Sequence, residues 1–401
     1  MFSKKMKEEQ DMFVQEAEKM LRNKIIPFWE NLKDDTYGGF YGWVDYELNL
    51  DKKAAKGCIL NSRILWFFSN AYATLKDNEL LPYAKHAYEF LTQYCIDKEY
   101  GGVYWSLNYD GSVFDSTKHT YNQAFAIYAL SSYYDATKDE DALKIAYDLF
   151  EIIESKCTDE VGYLEAFTYD FEPEDNDKLS ENGVIAEKTM NTLLHVFEAY
   201  TELYRVTKDD KVAKKLYFIM EVFEKQVFNE KLRRQEVFFD KNMNSILDLH
   251  SYGHDIETAW LIDRGCEVLG DTELTKRMQR ITNILEDEIY KLAYVEHSLL
   301  NECEKGNVNR MRVWWVQAEA VVGFLNAYEK SKEERYKQAA NDIFGYIKTK
   351  VVDQREGSEW YWQLDDNHQP DADKPFVEPW KCPYHNGRMC FEIIRRNIDV
   401  A

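Results

Sequence analysis

One plan recurs six times along this chain of 401 residues. A turn-and-strand segment rich in glycine and aromatics is followed by a helix. The segments begin near Gly38 (GGFYGWVDYE), Gly101 (GGVYWSLNYDG), Gly162 (GYLEAFTYDF), Glu236 (EVFFDKNMNSI), Tyr294 (YVEHSLLNECE) and Glu359 (EWYWQLDDNH). The spacing is roughly 60 residues, with one longer interval before the fourth, a period that signals a closed or solenoidal array. A single repeat cannot bury its apolar face alone. No linker rich in Pro, Ser or Gly interrupts the series. Residues 1–401 are therefore predicted to form one domain with an ample core.

Helical periodicity fills the space between these segments. Residues 8–33 place Phe13, Ala17, Met20, Leu21, Ile25 and Phe28 three and four apart, as on one helix face. Residues 61–75 are apolar almost all round, which predicts burial on most sides. The stretch 78–96 is one-sided, with Leu81, Ala84, Tyr88 and Leu91 opposite Lys85 and Glu89. The alternation continues through 120–136, 139–155, 186–206, 209–228, 251–269, 271–292, 313–329, 333–351 and 384–397. About twelve helices, alternately buried and half-exposed, predict six helical hairpins closed in a ring, an all-α (α/α)6 barrel. The short β segments would join each outer helix to the next inner one, all at the open end. The acidic stretch 172–188 reads either as a solvated loop or as a cover over the cleft.

The polar residues of the inner helices collect near that end: Arg63, His119, Asn191, His195, His254, Glu257, Trp315, His385 and Arg388. A net charge of -22 disfavours nucleic acid and anionic membrane surfaces, which require clustered Lys and Arg. A neutral small molecule suits this balance. Seven cysteines without a CxxC pair suggest reduced thiols and a cytoplasmic location. The N-terminus carries no apolar core of a secretory signal, and no run of about 18 apolar residues is present to span a bilayer.

HSYGHDIETAW, residues 250–260, is the most informative peptide. His254 and Glu257 share a helix face and read as an acid/base pair in which the carboxylate orients the imidazole. His250, His254 and Glu257 at i, i+4 and i+7 could instead ligate zinc, although no fourth ligand lies nearby. In PWKCPYHNGRMCFE, Trp380 offers a stacking face, and His385 sits at a helix start, where the positive dipole end lowers an imidazole pKa. Arg63 is one charge in a very apolar helix. It requires a carboxylate partner or binds developing negative charge on a substrate. His195 reads as a core residue or, with Asn191 one turn earlier, as part of a polar face. Trp315 and Glu319 suggest a second stacking wall and a hydrogen-bond acceptor. Asp255, Glu257 and Glu319 are the carboxylates a glycoside hydrolase would need. A non-catalytic sugar-binding or scaffold protein would not need imidazoles at matched helix starts.

The stretches IIPFWENLKDDTYGGFYG, GCILNSRILWFFSNAY, KHTYNQAFAIYALSSYY, LSENG, KTMNTLLHVFEAYTELY, HSYGHDIETAWL, RVWWVQAEAVVGF and PWKCPYHNGRMC resemble the N-acylglucosamine 2-epimerase superfamily, from about residue 20 to residue 397. The resemblance implies an (α/α)6 barrel and cofactor-free epimerisation at C2 of a reducing-end glucose, without a metal. Cellobiose and lactose are the substrates it suggests. It also implies that Arg63, His195, His254, Glu257 and His385 are catalytic. Tyr121, Asn191, Trp315 and Trp380 are implied to contact the sugar.

Overall fold

The computed structural model describes residues 13–178 and 182–397. Twelve helices alternate as predicted. They are α1 (13–30), α2 (Cys58–Leu75), α3 (Leu81–Phe90), α4 (Thr120–Thr137), α5 (Glu140–Ile152), α6 (Met190–Thr207), α7 (Asp210–Val222), α8 (Tyr252–Leu269), α9 (Thr272–Leu292), α10 (Trp314–Ser331), α11 (Glu334–Tyr346) and α12 (Tyr384–Arg396). The even-numbered helices form the inner ring. Each packs on the next, and α12 packs back on α2. The outer helices α3, α5, α7, α9 and α11 each lie on the inner helix that precedes them, and α1 lies on α12.

Burial follows this layering. Every residue of α2 from Cys58 to Ala71 is buried. The outer α9 buries Leu274, Met278, Ile281, Leu285 and Ile289, spaced three and four apart, which is one stripe of a helix facing the core. At the far end of the ring each inner helix closes on a residue with left-handed backbone: Lys76, Lys138, Lys208, Gly270, Lys332 and Asn397. Asp77, Asp139, Asp209 and Asp271 follow at once and cap the next helical segment through backbone N–H groups. A side-chain oxygen there satisfies donors that have no partner within the helix.

The mouth end is laced by short antiparallel strands. The strand before each of five inner helices pairs with one in the following turn segment. Lys56–Gly57 pairs with Ser106–Leu107, Lys118–His119 with Ala166–Phe167, and Lys188–Thr189 with Phe238–Phe239. Leu249–Ser251 pairs with Glu302–Glu304, and Arg312–Val313 with Gln363–Leu364. A bridge between Val44 and Val377 joins the first segment to the last.

A buried basic residue stands just before each inner helix, bound to a carboxylate. The pairs are Lys56–Asp34 at 2.6 Å, Lys118–Asp97 at 2.9 Å, Lys188–Asp159 at 2.6 Å, His250–Asp255 at 2.8 Å, Arg312–Glu296 at 3.0 Å and Lys381–Glu359 at 2.5 Å. These six residues put the repeats in register. Seven residues beyond them come Arg63, Phe125, His195, Glu257, Glu319 and Arg388, all buried. Four residues beyond come Leu60, Asn122, Thr192, His254, Val316 and His385. The two histidines therefore occupy the same position in repeats four and six.

Candidate active site

The mouth opens into a cavity of about 340 Å³. The nine residues that the family resemblance assigns to the site all line it: Arg63, Tyr121, Asn191, His195, His254, Glu257, Trp315, Trp380 and His385. Arg388, also expected at the mouth, lies behind them, bound to Glu257 and Glu319. His119 does not. It is buried beside Trp105, with ring centroids 4.8 Å apart. The acidic stretch contributes Lys178 and Asn182 to the wall. Asn182 reaches Glu304 at 3.0 Å, so the described part of this stretch borders the cleft.

Two pairings differ from expectation. His254 is not oriented by Glu257. Its Nδ1 meets the Ser251 hydroxyl at 2.7 Å, and its ring lies 4.7 Å from that of Trp315. Glu257 binds Arg388 of α12 instead. The zinc alternative fails for a related reason. His250 turns from the cavity and binds Asp255 through Nε2, so His250, His254 and Glu257 do not converge. The same His-x-x-Glu spacing does form a pair elsewhere, where His195 Nδ1 meets Glu198 Oε2 at 2.8 Å. Helical spacing places two side chains on one face, but the neighbouring helices decide which partner each one meets.

His385 is held on its Nδ1 side by Glu319 Oε1 at 2.7 Å. Glu319 Oε1 also accepts from Arg388 Nη2 at 2.7 Å, and Oε2 accepts from Trp260 Nε1 at 2.9 Å. Arg388 thus joins three carboxylates, Glu198, Glu257 and Glu319. One guanidinium cannot neutralise three carboxylates in a buried site. Burial works against an ionised Glu198, but Arg388 and His195 outweigh it and hold the group at about 2. Burial raises Glu257 well above the usual carboxylate range, with Glu319 adding repulsion, and burial raises Glu319 also. Both oxygens of Glu319 are occupied as acceptors, whereas Glu257 Oε2 is buried without a partner. A proton held by this pair therefore belongs on Glu257 Oε2.

Burial lowers the pKa of His195, His254 and His385, so all three imidazoles are neutral at neutral pH. The Arg388 guanidinium adds to this for His385. Arg63 donates to the Tyr121 hydroxyl at 2.7 Å and lies 4.1 Å from the Phe125 ring centroid. Among the described residues it has no carboxylate partner within ion-pair distance, which leaves a buried cation in the cavity wall. The aromatic faces of Trp315 and Trp380 complete the cavity.

A closed ring of six helical hairpins carries imidazoles, the Arg63 guanidinium and aromatic walls at its mouth, an arrangement suited to proton transfer on a small polar molecule. A 52% identical cellobiose 2-epimerase of Ruminococcus albus covers 97% of this chain and all of its own length. A sugar epimerase from a ruminal bacterium superposes with a TM-score of 0.95 at 51% identity, over 96% of this chain and 99% of its own. The cellobiose 2-epimerase of Bacillus thermoamylovorans does so with 0.93 at 45%, over 96% and 100%. The N-acylglucosamine 2-epimerase (GlcNAc 2-epimerase) family matches residues 39–386, and the chain belongs to that family. It is a carbohydrate epimerase.

Proposed function

We propose that this chain, acting as one catalytic domain, inverts C2 of the reducing-end glucose of β-1,4-linked disaccharides without a cofactor. Cellobiose would become glucosyl-mannose, and lactose would become epilactose. The carrying observation is that two neutral imidazoles, His254 and His385, come from equivalent positions in different repeats and both pack against the Trp315 ring in one cavity. Inversion needs a base on one face of the carbon and an acid on the other. The names of the relatives support the choice of substrate.

The chemistry follows from the residues. The sugar ring must first open to an aldehyde, and His195, backed by Glu198, assists that proton transfer. One imidazole then removes the C2 proton, giving a cis-enediol whose oxygen develops negative charge. Arg63, lacking a carboxylate, faces that oxygen as a preformed cation, often the largest single contribution to such catalysis. Glu257 Oε2 offers a proton to a sugar oxygen. The other imidazole, once it has taken up a proton from solvent at the open mouth, delivers it to the opposite face of C2, and the first releases its proton to solvent. Tyr121 and Asn191 hold hydroxyls, and Trp315 and Trp380 stack on the sugar rings.

Oxygens of Glu257 and Glu319 and a ring nitrogen of His385 lie within 4.8 Å of one another. Arg388 already occupies both carboxylates, so the cluster fits a guanidinium better than a metal ion. The same arrangement disfavours a hydrolase, whose two carboxylates would flank the scissile bond.

Proton NMR of cellobiose incubated with the protein in D2O tests the reading. Mannose-type anomeric signals with deuterium at C2 are expected. Free glucose would replace it with hydrolysis, and a ketose with isomerisation.

A further inference from the structure

Two buried arginines stand at the catalytic centre, and they are held in opposite ways. Arg388 is bound by three carboxylates. Arg63, only 2% exposed, meets none within ion-pair distance among the described residues. Rings hold it instead. Its guanidinium carbon lies 4.1 Å from the centroid of Phe125, 5.0 Å from that of Tyr384 and 5.7 Å from that of Tyr121. Aromatic faces retain a cation without neutralising it.

The hydrogen bonds leave the charge equally available. Arg63 donates to the Tyr121 hydroxyl at 2.7 Å, to the Trp380 carbonyl at 3.4 Å and to the Cys382 sulfur at 3.8 Å. Burial keeps that hydroxyl and that thiol protonated, so all three acceptors are neutral. The excess carboxylate of the Arg388 cluster is shielded from Arg63 by Tyr384. The Tyr384 ring lies against Arg63, and its hydroxyl donates to Glu198. A buried charge without a counter-charge is costly, and a guest that carries an anion into the cavity offsets that cost.

The chemistry narrows the guest. A carboxylate is planar and matches the fork of a guanidinium. The three imidazoles of the cavity are neutral and oppose it with no negative charge. The enediolate of the proposed mechanism places charge on oxygen beside a trigonal C1. An aldonate, the acid of an open-chain sugar, has a trigonal C1 whose two oxygens share a permanent charge. Trp315 and Trp380 remain to take the rest of the sugar.

We infer that this cavity binds aldonates in preference to neutral sugars, with the C1 carboxylate on Arg63, and that such acids inhibit turnover. The choice of a disaccharide acid rests on the proposed function; the pairing of a carboxylate with Arg63 does not.

Lactobionate and lactitol test this, because they share one carbon skeleton and differ only at C1, a carboxylate in the first and a hydroxymethyl group in the second. Calorimetric titration of the full chain should show lactobionate bound about 10–100-fold more tightly, the worth of a hydrogen-bonded charge. It should compete with cellobiose. Arg63→Gln should erase the preference while still binding lactitol, which reports an intact cavity. Lys374→Met, at a half-buried lysine of the cavity wall over the Trp362 ring, should retain the preference. Equal affinities in the wild-type protein, a preference that survives Arg63→Gln, or one lost in Lys374→Met would overturn the inference. If Arg63→Gln does not fold, a crystal structure with lactobionate decides: a carboxylate on Arg63 supports the inference, and one elsewhere overturns it. Epimerisation without the preference would overturn the inference alone, and the preference without epimerisation would fail the proposed function alone.

Discussion

His254 and His385 share one indole neighbour: the Trp315 ring lies 4.7 Å from the first imidazole and 5.4 Å from the second. The two histidines are equivalent by repeat position yet differently supported. A serine hydroxyl backs His254, and a carboxylate fixed by Arg388 and Trp260 backs His385.

Loss of either imidazole should nearly stop turnover. His254→Ala and His385→Ala are each expected to lower kcat by about 10²–10⁴-fold, the usual contribution of a positioned acid or base. Circular dichroism should remain that of the wild-type protein. Near-normal epimerisation by both variants would remove these residues from the mechanism.

The unequal support should be measurable. Glu319→Gln takes away the charge that stabilises an imidazolium at His385, and a fall of about 10²-fold in kcat is expected. Ser251→Ala removes one neutral hydrogen bond, worth about 1 kcal/mol, and a fall of about fivefold is expected. Steady-state rates on the two variants check the order, and equal losses would contradict it.

Gly253 makes room for the central indole. A Cβ at this position would lie 2.6 Å from Trp315 Cη2, closer than packed atoms allow. Gly253→Ala should displace the ring and lower kcat/KM by up to about 100-fold, the scale of an ångström-sized misplacement. A crystal structure of the variant would show the shift, and an unmoved ring with full activity would refute the argument.

Stability should fall between about pH 4.5 and pH 8 through Glu165. This buried carboxyl accepts from the Thr189 amide and the Thr192 hydroxyl, each at 2.7 Å, at the start of α6. Burial raises its pKa from 4.5 to about 8. The folded state therefore binds a proton that the unfolded chain releases at lower pH. The stabilising contribution is complete below about 4.5 and is lost as pH rises through about 8. Glu165→Gln should flatten this part of the Tm-against-pH curve. An unchanged slope would assign the loss to other groups.

The buried pairs at the inner-helix starts should be costly to break on one side. In Lys381→Met, Glu359 remains fully buried, with Asn386 as its remaining side-chain partner. A loss of about 3–5 kcal/mol in unfolding free energy is expected. Denaturant titration measures it, and a loss below about 1 kcal/mol would mean that water or rearrangement reaches the site.

The sequence by itself determined the ring. A repeat of turn, strand and helix, with alternating all-round and one-sided apolar helices, admits few other ways to bury its surface. The same pattern, with the family resemblance, identified nine residues that now share one cavity, because inner-helix starts in a closed array converge. Tertiary structure alone decided who pairs with whom. His254–Glu257 and His195–Glu198 have identical spacing, yet only the second is a bonded pair. His254 lies one turn nearer the mouth in its repeat than His195 does, and α12 brings Arg388 to Glu257. The Arg388 hub, which joins Glu198, Glu257 and Glu319 from three other inner helices, depends on contacts between helices far apart in the chain, which no local periodicity encodes.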